Sequence, residues 1–193
     1  LAQDFPVQLA AVDEIVLWHP IGLPAVEGIQ LKMELREGHV TISQFAALLG
    51  GAPLTATGKI TDVQSDDPVV DVTLKGDNVL LYRDPNLRVR GNTALTLTGP
   101  THRMLLAGDV VITDGLLSHH FDVLGSLKGA DRPSSGGMQL FSIRQQPLNA
   151  MRLDVGLSAA NPFVIRSNIV RGTVTPNLRL GGTAEVPLLK GRV

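Results

Sequence analysis

Residues 175–193 read TPNLRLGGTAEVPLLKGRV, and this stretch decides the fold class. Leu178 and Leu180 alternate with polar neighbours such as Arg179, and the pair Gly181-Gly182 interrupts the run. Alternation with a period of two is typical of a β-strand that is apolar on one face and polar on the other. Such an apolar face needs a cover, and the sequence leaves three candidates: a closed core, a partner chain or a lipid.

The same alternation recurs along the chain, for example in PLTATGKITDV, LRVRGNTALTLTG and MRLDVGLSAA. Turn-forming residues such as Asp84-Pro85-Asn86 and Asn161-Pro162 separate the runs. The pattern predicts an all-β protein of roughly ten to thirteen strands. Only SQFAALLGG, residues 43–51, favours a short helical turn, because Ser43 is a suitable cap and two glycines follow the apolar run.

Because side chains alternate along a strand, the parity of a residue (its even or odd position) assigns it to a face. Each predicted strand then has an aliphatic face and a polar face. Leu95 and Leu97 oppose Thr96, and Leu153 opposes Arg152. Since the sequence contains no convincing amphipathic helix, the aliphatic faces must cover one another or bind something. A sandwich or closed barrel is one solution. The other is a long sheet bent into a half-pipe, about 50–60 Å long for ten or more strands. Strand glycines (Gly58, Gly108, Gly182) would relieve crowding at the bend or mark bulges.

Composition points to a thin or open apolar layer. Apolar residues make up 44% of the chain but aromatic residues only 4%, so most of the apolar mass is aliphatic, and aromatic side chains usually anchor compact cores. The chain has no cysteine, which excludes disulfides and thiolate metal sites. No run approaches the roughly 18–20 apolar residues of a membrane-spanning helix.

No motif of enzyme chemistry is present. The sequence lacks a GxSxG elbow and a phosphate-binding loop. His119 and His120 are adjacent and would point to opposite faces of a strand. The acidic stretch from Asp62 to Asp71 lacks the glycine turn and terminal glutamate of a calcium loop. We therefore predict a protein that is not an enzyme and has no catalytic residues, no cofactor and no metal site.

The chain is predicted to form one β-groove unit over residues 1–193, with residues 127–150 as an irregular loop or crossover because they lack alternation. Since it opens on Leu1 and stops at Val193 within a strand-like pattern, we expect it to be one piece of a longer protein.

The formal net charge is −1, but residues 140–193 carry seven of the 17 Lys and Arg and only two of the 18 Asp and Glu. This excess of positive charge in residues 140–193 is explained most simply by basic side chains on solvated strand faces. The alternative is that this part of the chain binds an acidic partner.

Four segments in succession carry a family resemblance: GHVTISQFAALLGGAPLTATGKI, DVTLKGDNVLLYRDPNLRVRGNTALTLTG, LLAGDVVITDG and LDVGLSAANPFVIRSNIVRGTVTPNLRLGGTAEVPLLKGRV. This succession resembles the C-terminal region of the TamB family, the inner-membrane subunit of the translocation and assembly module. More broadly it resembles the AsmA-like lipid-bridge proteins.

The resemblance implies an elongated, U-shaped (taco-like) β-sheet with a hydrophobic inner groove and few or no helices. It implies a periplasmic location in a Gram-negative envelope, in a full-length protein anchored to the inner membrane outside this segment. The implied partners are phospholipid acyl chains and an outer-membrane barrel protein of the Omp85 type (TamA-like), with no nucleic acid. Parity nominates eleven residues for the implied lipid groove: Leu95, Leu97, Leu106, Val110, Ile112, Leu153, Val155, Leu157, Ile165, Leu178 and Leu180.

The patterns together with the resemblance leave three functions open. The first is a conduit that shields acyl chains during phospholipid transport between the inner and outer membranes, alone or together with support for outer-membrane protein assembly. The second is a chaperone-like scaffold that binds nascent barrel strands or secreted proteins by edge β-augmentation. The third is a self-contained sandwich with a structural role.

Overall fold

The computed structural model describes residues 24–119, 142–168 and 171–192 of the chain. Within these ranges the chain forms one open, curled sheet of eleven strands and no α-helix. The all-β prediction is therefore confirmed. The strands are β1 Val26–Arg36, β2 His39–Leu49, β3 Ala52–Thr61, β4 Val69–Arg83, β5 Leu87–Pro100, β6 Leu105–His119, β7 Arg152–Ala159, β8 Phe163–Ser167, β9 Arg171–Val174, β10 Asn177–Gly182 and β11 Pro187–Arg192.

Strands β1 to β6 form an antiparallel meander, each paired with the next along the chain. Strand β7 then lies beside β6 in the parallel direction, from the pair Leu105 and Arg152 to the pair Ile112 and Ala159. A parallel pair needs a long connection, because the chain must return to the same end of the sheet. The stretch between β6 and β7, which contains the predicted crossover, provides that length. Of it, residues 142–150 contain no strand and one 3₁₀ turn, Leu148–Ala150, and residues 120–141 lie outside the described ranges.

The sheet is nine strands wide. Strand β8 pairs with the end of β6, in line with β7, and β9 pairs only with β8. Asn161-Pro162 separates β7 from β8, and Thr175-Pro176 separates β9 from β10. Proline favours such breaks because it has no backbone N–H to donate to a neighbouring strand. At about 4.8 Å per strand the described sheet is about 40 Å across, which is shorter than the 50–60 Å expected from the strand number alone.

The helical turn expected over residues 43–51 is wrong. Residues 43–49 continue β2, which pairs with β1 on one side and β3 on the other, and Gly50-Gly51 form the turn into β3. Phe45, Ala47 and Leu49 point to one face, and Ala47 is 5% exposed. Pairing on both edges satisfies the backbone and buries this apolar row, which outweighs the local helix preference of Ala and Leu.

Two irregularities in strand pairing lie beside each other in the middle of the sheet. The register shifts between Gly76 and Val79 in β4 and between Arg90 and Gly91 in β5. At the first shift Asn78 adopts a left-handed φ of 50°. Its N–H donates to Asn92 Oδ1 at 2.8 Å, and its own Oδ1 accepts from Thr113 Oγ1 at 2.9 Å. These outward-facing bonds replace the ladder bonds that the bulges interrupt.

All three strand glycines singled out by sequence occupy places where the chain comes close to itself; at Gly108, where φ is +127°, a Cβ would lie 3.0 Å from Leu95 Cα. A Cβ on Gly58 would lie 2.6 Å from Val72 Cα in β4. A Cβ on Gly182 would lie 2.5 Å from the Val186 carbonyl oxygen, and Gly182 has φ +83°. All three positions therefore require glycine for steric reasons.

Candidate functional site: one apolar face across nine strands

Directly paired residues form one continuous row on a single face of the sheet. Across an antiparallel or parallel pair, partners in register share a face. The row runs through all nine strand positions: Leu31, Phe45, Ala56, Leu74, Leu95, Gly108, Val155, Leu180 and Leu189. No polar side chain interrupts it. We call this side of the sheet the inner face.

All eleven groove residues nominated by sequence lie on the inner face. Ten follow from the registers of β5, β6, β7 and β10, in which Leu97 pairs with Leu106, and Leu106 with Leu153. Ile165 pairs with Leu117 in β6. Val110, Leu153 and Val155 are buried at 7%, 5% and 3% exposure, and the other eight are half-buried. That these side chains contact lipid stays a prediction.

The inner face carries an apolar cluster toward each end of the strands. One cluster joins Val70 and Leu153 to Met104, Met151 and Ala184, all less than 10% exposed. The other contains Ala52, Leu54 and Val79, with Phe45 and Leu74 partly buried against them. The row contributes Leu180 to the first cluster and Phe45 and Leu74 to the second, whereas Leu95 belongs to neither.

The groove residues nominated from the sequence leave out the first four strands. Leu31, Phe45, Ala56 and Leu74 extend the same row by four strands. The signal was available in β3, where Leu54, Ala56, Gly58 and Ile60 alternate with polar residues. The cluster around Met104 and Ile143 had no such signal, because it depends on how the connections fold over the strand ends.

One polar group lies within this apolar surface. Thr93 follows the inner-face parity of β5, pairs with Gly76 and is 8% exposed. Its hydroxyl oxygen is buried and has no hydrogen-bond partner within the described residues. A Cβ on Gly76 would lie 2.9 Å from that oxygen, so the hydroxyl packs directly over the glycine.

We predict that Thr93→Val raises the free energy of unfolding by about 1 kcal/mol. The substitution keeps the shape of the side chain and removes a buried donor and acceptor that lacks a partner. Urea unfolding of both proteins measures the difference. The matched control is Thr55→Val: Thr55 is exposed and its hydroxyl donates to the Lys75 carbonyl, so a change within about 0.5 kcal/mol is expected there. Loss of stability in Thr93→Val would show that its hydroxyl has a partner.

The opposite face is polar and carries exposed ion pairs. Arg179 donates two hydrogen bonds to Asp154, at 2.5 Å and 2.8 Å, and Arg88 donates to Asp114 at 2.8 Å. The bond from Arg179 lowers the pKa of Asp154 and in turn raises the pKa of Arg179. Exposed pairs of this kind contribute little to stability. They keep the outer face hydrated.

Histidine, aspartate and glutamate are spread along the described residues. Within them no group of three or more His, Asp or Glu is placed to hold a metal ion. The side chains of His119 and His120 lie outside the described residues. His102 Nδ1 lies 2.7 Å from Asp67 Oδ2, an exposed contact between two turns. In the ranges that the structure describes, no helix has the length and apolar character needed to cross a membrane.

A curled sheet with one apolar face is the architecture expected from the sequence resemblance, and a direct comparison decides the family. The profile of the TamB C-terminal domain matches residues 43–193. The chain belongs to the TamB family. The TamB family is a non-enzymatic transport and assembly family of the bacterial envelope, whose members work with an Omp85-type partner. No curated protein and no solved structure matched the chain.

Proposed function

We propose that the inner face is a trough for the acyl chains of phospholipids, and that the protein carries phospholipid through the periplasm between the inner and outer membranes. The observation that carries this proposal is the unbroken apolar row from Leu31 to Leu189 across nine strands. A soluble monomer rarely exposes an apolar patch of more than a few hundred Å². A sheet about 40 Å wide that is open along its inner face needs a cover.

Acyl chains suit this surface energetically. Each buried CH₂ contributes roughly 0.8 kcal/mol, so a single chain would gain several kcal/mol along the row. The aliphatic side chains supply no donors or acceptors that would hold a lipid at one place. Such a lining binds with low specificity and lets a chain slide along it.

The family supports the cellular setting of the proposal. We place the protein in the Gram-negative periplasm, with its membrane anchor outside the present segment and a TamA-like barrel of the Omp85 type as its outer-membrane partner. In this setting the same trough would deliver lipid at the site where outer-membrane proteins are assembled.

Photo-crosslinking tests the trough. A photoreactive residue at Leu97 or Leu180 is expected to capture phospholipid, because both side chains lie on the inner face. The matched controls are Thr96 and Arg179, one position away on the outer face, where capture is expected to fall to background. Mass spectrometry of the adducts identifies the lipid. Equal labelling of both faces would falsify the trough.

The second candidate function is strand augmentation, and the free side of β11 favours it. Among the described strands β11 pairs only with β10, and it forms one margin of the sheet. An unpaired strand edge presents backbone N–H and C=O groups to an incoming strand. A nascent barrel strand is the partner that this candidate implies.

Proline in β11 separates the two functions. Leu189→Pro removes a backbone N–H at this edge and is expected to abolish cross-linking to a barrel partner, while phospholipid capture at Leu97 persists. The control is Gln30→Pro in β1, the opposite margin of the sheet. Unchanged partner binding in Leu189→Pro would argue against augmentation at this edge.

A further inference from the structure

Exposed apolar side chains concentrate at one corner of the molecule. Among the described residues, seven large hydrophobic side chains are exposed, and four of them lie in residues 142–152 and 183–192. We call these two segments the basic corner. Its exposed apolar residues are Leu148 at 40%, Val186 at 62% and Leu188 at 49% exposure, and the fourth, Leu189 at 43%, lies on the inner face at the same edge.

Hydrogen bonds between the two segments hold this corner in one shape. Ala184 is fully buried; its N–H donates to the Met151 carbonyl and its carbonyl accepts from the Ile143 N–H, both at 2.9 Å. The Glu185 N–H donates to the Asn149 carbonyl at 3.2 Å. Leu148 and Val186 are therefore each one residue from a hydrogen bond that joins the segments. The apolar tips belong to a preformed surface.

The corner is also cationic. It carries Arg144, Arg152, Lys190 and Arg192 against one carboxylate, Glu185. Among the described residues no ion pair neutralises Lys190 or Arg192. Exposed apolar side chains flanked by unpaired cations are the combination that binds an anionic lipid surface, since the apolar tips enter the headgroup region and the cations meet phosphates.

We propose that the basic corner docks the protein on a membrane surface rich in anionic phospholipid headgroups. A membrane suits the corner better than a protein strand does, because Leu148 and Val186 lie in connections rather than in paired strands, where edge augmentation would leave them uncovered. The proposal rests on the proposed function in one respect: a trough for acyl chains must exchange them with a bilayer.

Vesicle flotation tests this docking with the full chain. The probe is vesicles of mixed phosphatidylglycerol and phosphatidylcholine, compared with vesicles of phosphatidylcholine alone. The protein is expected to float with the mixed vesicles. Val186→Ser with Leu188→Ser is expected to reduce flotation at least ten-fold, and Lys190→Gln and Arg192→Gln by about five-fold each. The matched control, Leu35→Ser with Leu48→Ser, removes two exposed apolar side chains at the other margin of the sheet and is expected to float normally.

Each outcome decides the proposal. An equal loss of flotation in the control variant would show that any exposed apolar side chain contributes, and would overturn docking through the basic corner. Equal flotation with both kinds of vesicle would overturn it too, because anionic headgroups would then not be needed. Absence of flotation together with cross-linking of β11 to a protein strand would assign the surface to that partner instead. Phospholipid capture at Leu97 without flotation contradicts the docking alone, whereas flotation without capture contradicts the trough alone. Urea midpoints of all variants confirm that each one folds.

Discussion

Gly108→Val is expected to lower the free energy of unfolding by more than about 4 kcal/mol and to leave little folded protein. Gly108 lies in the inner-face row, between Leu95 of β5 and Val155 of β7. Its φ is +127°, a conformation that L side chains rarely adopt. A Cβ there would lie 3.0 Å from Leu95 Cα and closer still to the Ala94 carbonyl oxygen. Backbone strain costs roughly 1–3 kcal/mol, and separation of two central strands adds to it.

Gly172→Val is the matched control for this experiment. Gly172 lies in β9, and its φ is outside the left-handed region. A Cβ added there would have no heavy atom within 4 Å. A change within about 0.5 kcal/mol is expected there. Urea unfolding followed by circular dichroism compares the two variants with the parent. Similar midpoints for both would mean that β5 and β6 do not approach as closely at Gly108 as the structure indicates.

Local alternation predicted the two faces of the sheet correctly for β5, β6, β7 and β10. The reason is physical: side chains in a strand alternate with a period of two, so an aliphatic parity in sequence is a face in space. Leu95 and Leu97, or Leu178 and Leu180, can therefore be assigned to a face without knowing which strand lies beside them.

Pairing and bulges could not be predicted in the same way. Strand β6 has one extra residue opposite Arg90 and Gly91. Before this bulge the even positions Val110 and Ile112 lie on the inner face. After it the odd position Leu117 does, together with its partner Ile165 in β8. Nothing in the sequence marks where that extra residue falls. The parallel pairing of β7 with β6 is likewise a long-range event that the alternation within either strand does not specify.

The wrong prediction at residues 43–51 has the same origin. Ser43 and the two closing glycines are a real local signal for a helical turn. In the structure the Ser43 hydroxyl instead donates to the Lys32 carbonyl across the β1–β2 pair, at 3.2 Å. Neighbouring strands on both sides decide the outcome, and local propensity has no access to them.

The proposed trough has its most sensitive position at the centre of the row. Leu95→Arg is expected to reduce bound phospholipid at least about ten-fold. Leu95 is the fifth of the nine residues in the row, is half-buried and belongs to neither apolar cluster. A guanidinium there either enters the acyl environment without a partner or moves the chains aside, and both cost free energy. A loss of 1.4 kcal/mol is a ten-fold loss of binding.

Ala94→Arg gives the matched control, because Ala94 is exposed on the outer face of the same strand. It introduces the same charge one residue away and is expected to leave bound lipid unchanged. Lipid extracted from equal amounts of each purified protein is quantified by mass spectrometry, and urea midpoints establish that both variants fold. Because Leu95 contributes to neither buried cluster, its replacement should reduce the amount of bound lipid strongly while lowering the urea midpoint only slightly. If the two variants retain equal lipid, acyl chains do not pass along this row, and the free edge of β11 becomes the better site for the function of this sheet.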